Sequence, residues 1–147
     1  MKGFARSRSI SNSQKKKASS LTKSDKKLLL KAIHFQREGK FNDASNIYQI
    51  LYDQGVEDSR LLSNFGLILK KQGNLKRAIS LFQKSIELFP KDGAAYSNLG
   101  IIQLDKELYQ EALINIKKAV QINPLNSIYL YNYGLLLQRL GELKKAE

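Results

Sequence analysis

Apolar residues in this chain gather into short helical stretches broken by turn residues, and the stretches repeat. Between Gly93 and Asn126, Tyr96, Leu99 and Gly100 are followed after a polar break by Leu108, Tyr109, Ala112, Leu113, Ile116 and Val120, and Pro124 closes the unit. Apolar positions three and four apart mark one face of a helix, so this stretch predicts two amphipathic helices joined by a turn. The same pattern lies on either side of it. Gly66, Gly100 and Gly134 stand 34 residues apart, as do Ala44, Ala78, Ala112 and Ala146, and Ala32 takes the place of the earliest glycine. A fixed period of this length is the mark of a repeat architecture.

The spacing has a physical cause. A glycine inside a helix costs roughly 1 kcal/mol against alanine, so three of them at one phase imply that two helices must cross closely there. A single hairpin cannot bury its apolar stripe, and neighbouring hairpins must stack on it. The expected helices lie near 25–38, 41–54, 59–72, 75–88, 93–106, 109–122 and 127–140. Asp25, with Ser24 before it, is expected to cap the first. Gly39, Gly73 and Gly141 sit where the chain must reverse, a place that favours the left-handed conformation. Glu107 holds that place in the third unit, which predicts a turn of different detail. Pro90 and Pro124 stop the second helix of their units because proline cannot continue the hydrogen-bond ladder, and Gly55 is expected to act similarly in the first.

With these residues in view, the chain resembles the tetratricopeptide-repeat family, whose pattern W-x2-L-G-x2-Y…A-x3-F…P is met by Tyr96-x2-Leu99-Gly100, Ala112-x3-Ile116 and Pro124. The unit before has Leu62-x2-Phe65-Gly66, Ala78-x3-Phe82 and Pro90, and the unit after has Leu130-x2-Tyr133-Gly134 and Ala146. The first unit departs most, with Lys31 and Ala32 at the large-residue and glycine places and no closing proline, although Ala44-x3-Tyr48 fits. The resemblance covers about 25–147, divided as 25–58, 59–92, 93–126 and a truncated 127–147. It implies an all-α, right-handed superhelical solenoid of antiparallel helix pairs, about three and a half repeats long. Where the sequence stops at Glu147, a second helix of the fourth unit is expected. The chain therefore reads as the N-terminal part of a longer one, or else a partner or second copy covers Leu135, Leu136, Leu137, Leu140 and Leu143 by self-association.

Asn64, Asn98 and Asn132 recur two residues before the glycines. Asparagine is a poor mid-helix residue, so its recurrence suggests a site that wants an amide. Its phase turns it from the packing face toward the inner side of the first helix. In the family that inner side resembles a groove for an extended peptide, and a carboxamide can pair with a peptide N–H and C=O together. Three such bonds at about 0.5–1.5 kcal/mol each give modest affinity. The rival role is an inter-repeat hydrogen bond that fixes the stacking angle. The row resembles the ladder of O-linked N-acetylglucosamine transferases, and similar arrays precede bacterial glycosyl-, sulfo- and methyltransferase domains. A substrate-recruiting front end of a larger transferase is therefore the alternative to a plain scaffold. The clamp by which chaperone-binding repeats hold two carboxylates needs Lys or Asn, then Asn, then Lys or Arg. Here those places hold Ser63 and Leu67, Asn98, and Ile128 and Asn132, so only Asn98 matches and a chaperone tail is not the expected ligand. Lys70, Lys71 and Arg139 join the asparagines as charge-tuning residues, and Arg60, Ser97, Tyr131 and Gln138 are further inward-facing candidates. Their mildly basic balance favours an acidic or phosphorylated peptide.

Composition narrows the function further. The 147 residues carry a formal charge of +12, and residues 1–27 hold nine of the Lys and Arg against one acid, Asp25. Residues 1–24 are expected to be a disordered basic leader, too poor in apolar side chains to fold. Nucleic-acid binding by this leader is a distant third function, because Lys15-Lys16-Lys17 is a short run without interleaved aromatics. The chain has no cysteine and one histidine, His34, which excludes thiolate sites and the usual two-histidine zinc arrangements. No metal, no cofactor and no catalytic residue is expected, and a reducing cytoplasmic setting fits best.

Overall fold

Small residues at the repeat phase decide how the helices meet. The computed structural model describes residues 21–146, and among them the chain forms α1 (Lys23–Arg37), α2 (Phe41–Asp53), α3 (Ser59–Lys71), α4 (Leu75–Leu88), α5 (Gly93–Asp105), α6 (Tyr109–Ile122) and α7 (Ser127–Ala146). Residues 1–20 of the expected leader and Glu147 lie outside the described residues, as does the side chain of Ala146. No described helix is long and apolar enough to cross a membrane. Helices α1/α2, α3/α4 and α5/α6 form hairpins, and each hairpin packs on the next, so the fold is an all-α solenoid. A Cβ at Gly66 would stand 2.7 Å from the Phe82 ring, and one at Gly100 would stand 2.6 Å from Ile116 Cγ1 and 3.2 Å from its backbone nitrogen. Ala32, Ala44, Ala78 and Ala112 are wholly buried. At Gly100 the α5/α6 hairpin thus closes onto backbone, at Gly66 the Phe82 ring lies directly against the glycine, and Tyr48, Phe82 and Ile116 are fully buried at the crossings.

One core runs from α1 to α5 through Leu29, Tyr48, Phe65, Phe82, Leu99 and Ile102. A second, smaller one joins α5, α6 and α7 through Leu104, Ala112, Ile116 and Leu136.

The turns follow one plan, including the one that lacks glycine. Gly39, Gly73 and Glu107 have φ of 77°, 83° and 60°. Each sits in the same pair of bonds, as at Gly73 N–H to Lys70 O with Asn74 N–H to Leu69 O, and at Glu107 N–H to Leu104 O with Leu108 N–H to Gln103 O. The expectation of a different third turn is therefore corrected. The packed hairpin imposes the left-handed conformation, and Glu107 bears the strain. Gly55 (φ 78°) ends α2 as expected, and α4 and α6 end before Pro90 and Pro124.

Two termini differ from expectation. Thr22, not Asp25, caps α1: the Thr22 hydroxyl accepts from the Asp25 N–H, and the Asp25 carboxylate accepts from the Thr22 N–H. This reciprocal box satisfies two orphan donors at once, so α1 begins two residues earlier. At the other end Gly141 does not reverse the chain, and α7 continues through it. The leucines expected to form one open patch therefore divide. Leu136 is buried, Leu135 and Leu140 pack on the smaller core, and Leu137 and Leu143 stay exposed.

Two predictions follow from the crossings and turns. Gly100→Ala destabilises the protein by about 1–2 kcal/mol in urea unfolding, since overpacking outweighs the gain in helix propensity. Gly134→Ala, with nothing within 4 Å of the added carbon, stabilises by up to about 1 kcal/mol; equal signs for the two would refute the crossing. Glu107→Gly removes the strained φ and raises stability by about 1 kcal/mol, read as a higher midpoint with unchanged helicity.

Candidate functional site

The crossing fixes which side of each first helix is left open. On α5 the small face meets α6, and a stripe at steps of four, three and four carries Ala94, Asn98, Ile101 and Asp105, the first three half-buried and the last exposed. Steps of 34 residues carry this stripe to Lys26, Leu30, Ile33 and Arg37 on α1, Arg60, Asn64, Leu67 and Lys71 on α3, and Ile128, Asn132, Leu135 and Arg139 on α7. Helices α3, α5 and α7 touch in series. The stripes therefore align as four rows, with an asparagine row and an aliphatic row in the middle and mostly charged rows outside.

All three asparagines are half-buried in this wall, and two of them are engaged within the protein. Asn132 Nδ2 donates to Ser97 Oγ (2.8 Å), tying α7 to α5. Asn98 Nδ2 donates to the Ala94 carbonyl of its own helix (3.0 Å). Asn64 lies near the Tyr48 hydroxyl, which donates to Gln36 Oε1 (2.8 Å). Burial raises the Tyr48 phenol far above its ordinary range, and the neighbouring Asn64 amide only partly opposes this. So Asn132 fastens neighbouring repeats. A carboxamide has two donors and an acceptor, and one donor is committed at Asn98 and at Asn132.

The three cations are placed differently. Lys71 lies in an outer row with its ammonium 4.9 Å from the Phe41 ring centroid. Arg139 lies in the same row, 3.6 Å from Glu142, and shares a pocket of about 240 Å³ with Asp105, Leu104, Glu107, Tyr109 and Leu135. Lys70 is one position off the stripe and half-buried. Desolvation lowers its pKa, opposed by the charge of Asp105. Of the further candidates, Ser97 is buried beneath Asn132, whereas Tyr131 stands 70% exposed.

Sequence reasoning passed over two features that share the same period. The aliphatic row Ile33, Leu67, Ile101 and Leu135 was not singled out, although its 34-residue recurrence was visible. The second is the cap row Asp58, Asp92 and Asn126, which starts α3, α5 and α7. Asp92 accepts from the Ala94 and Ala95 N–H groups and from the Ser63 and Ser85 hydroxyls, so one carboxylate joins three helices. Burial disfavours ionisation of Asp58, but the Arg60 guanidinium, 2.9 Å away, and the Arg60 and Leu61 N–H groups outweigh it and hold the carboxyl below its usual range.

Family models described as Tetratricopeptide repeat match residues 57–124 and 115–147. No curated relative matches the chain by sequence. Among solved structures, it is similar to the Sgt2 TPR domain from Aspergillus fumigatus (TM-score 0.75, 18% identity, 86% of this chain and 85% of that one). It is also similar to the first TPR domain of human RPAP3 (0.71, 18%, 84% and 97%), and to the first TPR of Spaghetti (RPAP3) bound to the HSP90 peptide SRMEEVD (0.70, 19%, 80% and 93%).

The asparagine contacts are separable by stability. Asn132→Ala, which strips the bond between α7 and α5, costs about 1 kcal/mol. Asn98→Ala loses only a bond to its own helix and gains about half a kcal/mol of propensity, leaving stability unchanged or higher. Thermal unfolding of the two variants gives the comparison.

Proposed function

This chain belongs to the tetratricopeptide-repeat family, and from that premise we propose that it is a non-catalytic scaffold whose concave wall of first helices holds an extended segment of a protein partner. The observation that carries this reading is the pairing of an asparagine row with an aliphatic row, half-exposed on α3, α5 and α7 in register. A peptide backbone needs donors and acceptors at regular intervals, and its side chains need apolar pockets beside them. The two rows offer both, with Asn64, Asn98 and Asn132 facing the backbone and Leu67, Ile101 and Leu135 facing side chains. Lys70, Lys71 and Arg139 set the charge at the margin. That a protein of the same fold is known with a peptide bound supports the reading.

The test is selection of random dodecapeptides displayed on phage against the intact chain, followed by affinity measurement of the winners. Replacing Asn64, Asn98 and Asn132 together by alanine is expected to weaken the selected peptides by at least about tenfold, from three bonds of roughly 0.5–1.5 kcal/mol each. Because the triple change also loosens repeat contacts, circular dichroism at the working temperature must show retained helicity. Peptides that bind the helical triple variant as tightly as the native chain would place recognition elsewhere.

A further inference from the structure

The outer rows of the wall are not uniform along the solenoid. On α1 and α3 they hold Lys26, Arg37, Arg60 and Lys71, with the half-buried Lys70 beside them. On α5 and α7 the same places hold Ala94, Ile128, Asp105 and Arg139. The acids near these groups do not even out the difference. Asp58 pairs with Arg60, whose side chain remains 54% exposed, and Glu38 is bonded to His34 and Lys40. At the other end Arg139 is already answered by Glu142 and shares its pocket with Asp105. One half of the wall is therefore cationic, while the other balances its charges and adds Ile128, 64% exposed, to the aliphatic row.

Resting on the groove reading above, we propose that the partner segment is bipolar, with a cluster of Asp or Glu side chains lying over α1 and α3 and aliphatic side chains lying over α5 and α7. Carboxylates over the first half gain from several cations at once. The same carboxylates over the second half would meet Asp105 and lose their own hydration against Ile128 and Leu135. Exchanging the two ends of the ligand thus loses both terms together, which fixes its direction along the wall. Neighbouring helices pack about 8–10 Å apart and an extended chain advances about 3.3 Å per residue, so the three gaps between the four first helices span about seven to nine residues. Nothing in this arrangement requires a free C-terminal carboxylate, so an internal segment of the partner fits.

Fluorescence anisotropy with the intact chain decides the matter, using labelled peptides of about ten residues. The probes are Glu alternating with Ser followed by Leu alternating with Ser, the same peptide in reverse order, and an interleaved peptide of identical composition. One of the two bipolar orders is expected to bind about tenfold tighter than the interleaved control, with the advantage shrinking as salt rises. Arg37→Glu with Lys71→Glu, both exposed positions, should erase that advantage, and Lys118→Glu, exposed on α6 outside the wall, should change it less than about twofold. Equal binding of bipolar and interleaved peptides overturns the proposal, as does equal damage from Lys118→Glu. Tight binding of a version with Gln in place of Glu also overturns it and leaves the groove itself standing. Absence of binding by every probe overturns the bipolar assignment, while the phage selection judges the groove independently.

Discussion

Everything in this molecule depends on how closely the two helices of a hairpin cross. At Gly66 the Phe82 ring, and at Gly100 the Ile116 side chain with the backbone of α6, occupy the space that an added Cβ would need, and the opposing Ala78 and Ala112 are wholly buried. Such a contact fixes the rotation of each helix about its own axis, because only one stripe of the first helix is small enough to enter it. Once that stripe is committed, the remaining faces are assigned. One meets the preceding hairpin, one meets the following hairpin, and one is left open. The open stripe therefore inherits the 34-residue period without any selection of its own, and four rows in register follow from a single packing rule.

How much of this was readable from the sequence divides along the same line. Helix order, hairpin pairing and most boundaries follow from small residues and prolines at fixed intervals, and they stand in the structure. Features set by tertiary compulsion did not show. Glu107 violates the local preference for glycine yet adopts the same turn, because packing of α5 on α6 outweighs the strain of one residue. Gly141 satisfies the local preference yet makes no turn, and α7 runs straight through it. Thr22 displaced Asp25 as the first cap because two reciprocal bonds are better than one, a distinction that propensity alone does not make. For the site, the asparagine phase was legible, but the partners of the amides were not. Ser97 belongs to the preceding repeat, and only the stacking geometry brings it to Asn132.

Those amide bonds reconcile two roles that the sequence left as rivals. Asn132 ties one repeat to the next through Ser97, which is the stacking role in its plainest form. Committing one donor in this way leaves a carboxamide a second donor and an acceptor. The proposed peptide contact therefore does not require the stacking bond to break.

Cohesion is unevenly distributed along the array. In the first two repeats, cations lie over the rings of an adjoining element, Lys71 over Phe41, Arg77 over Phe65 and Lys84 over Tyr52, on top of the larger core. Toward α7 the core shrinks to Leu104, Ala112, Ile116 and Leu136, and one asparagine bond and the Tyr129 contact with Gly93 supplement it. In a solenoid each repeat is stabilised mainly by its neighbours, so among the described residues the junction of α5, α6 and α7, which shares the smaller core, holds together least firmly. The aliphatic row crosses from the larger core to this smaller one, with Ile33 on α1 packed against the first and Leu135 on α7 against the second, so the same 34-residue period runs over two junctions of unequal strength.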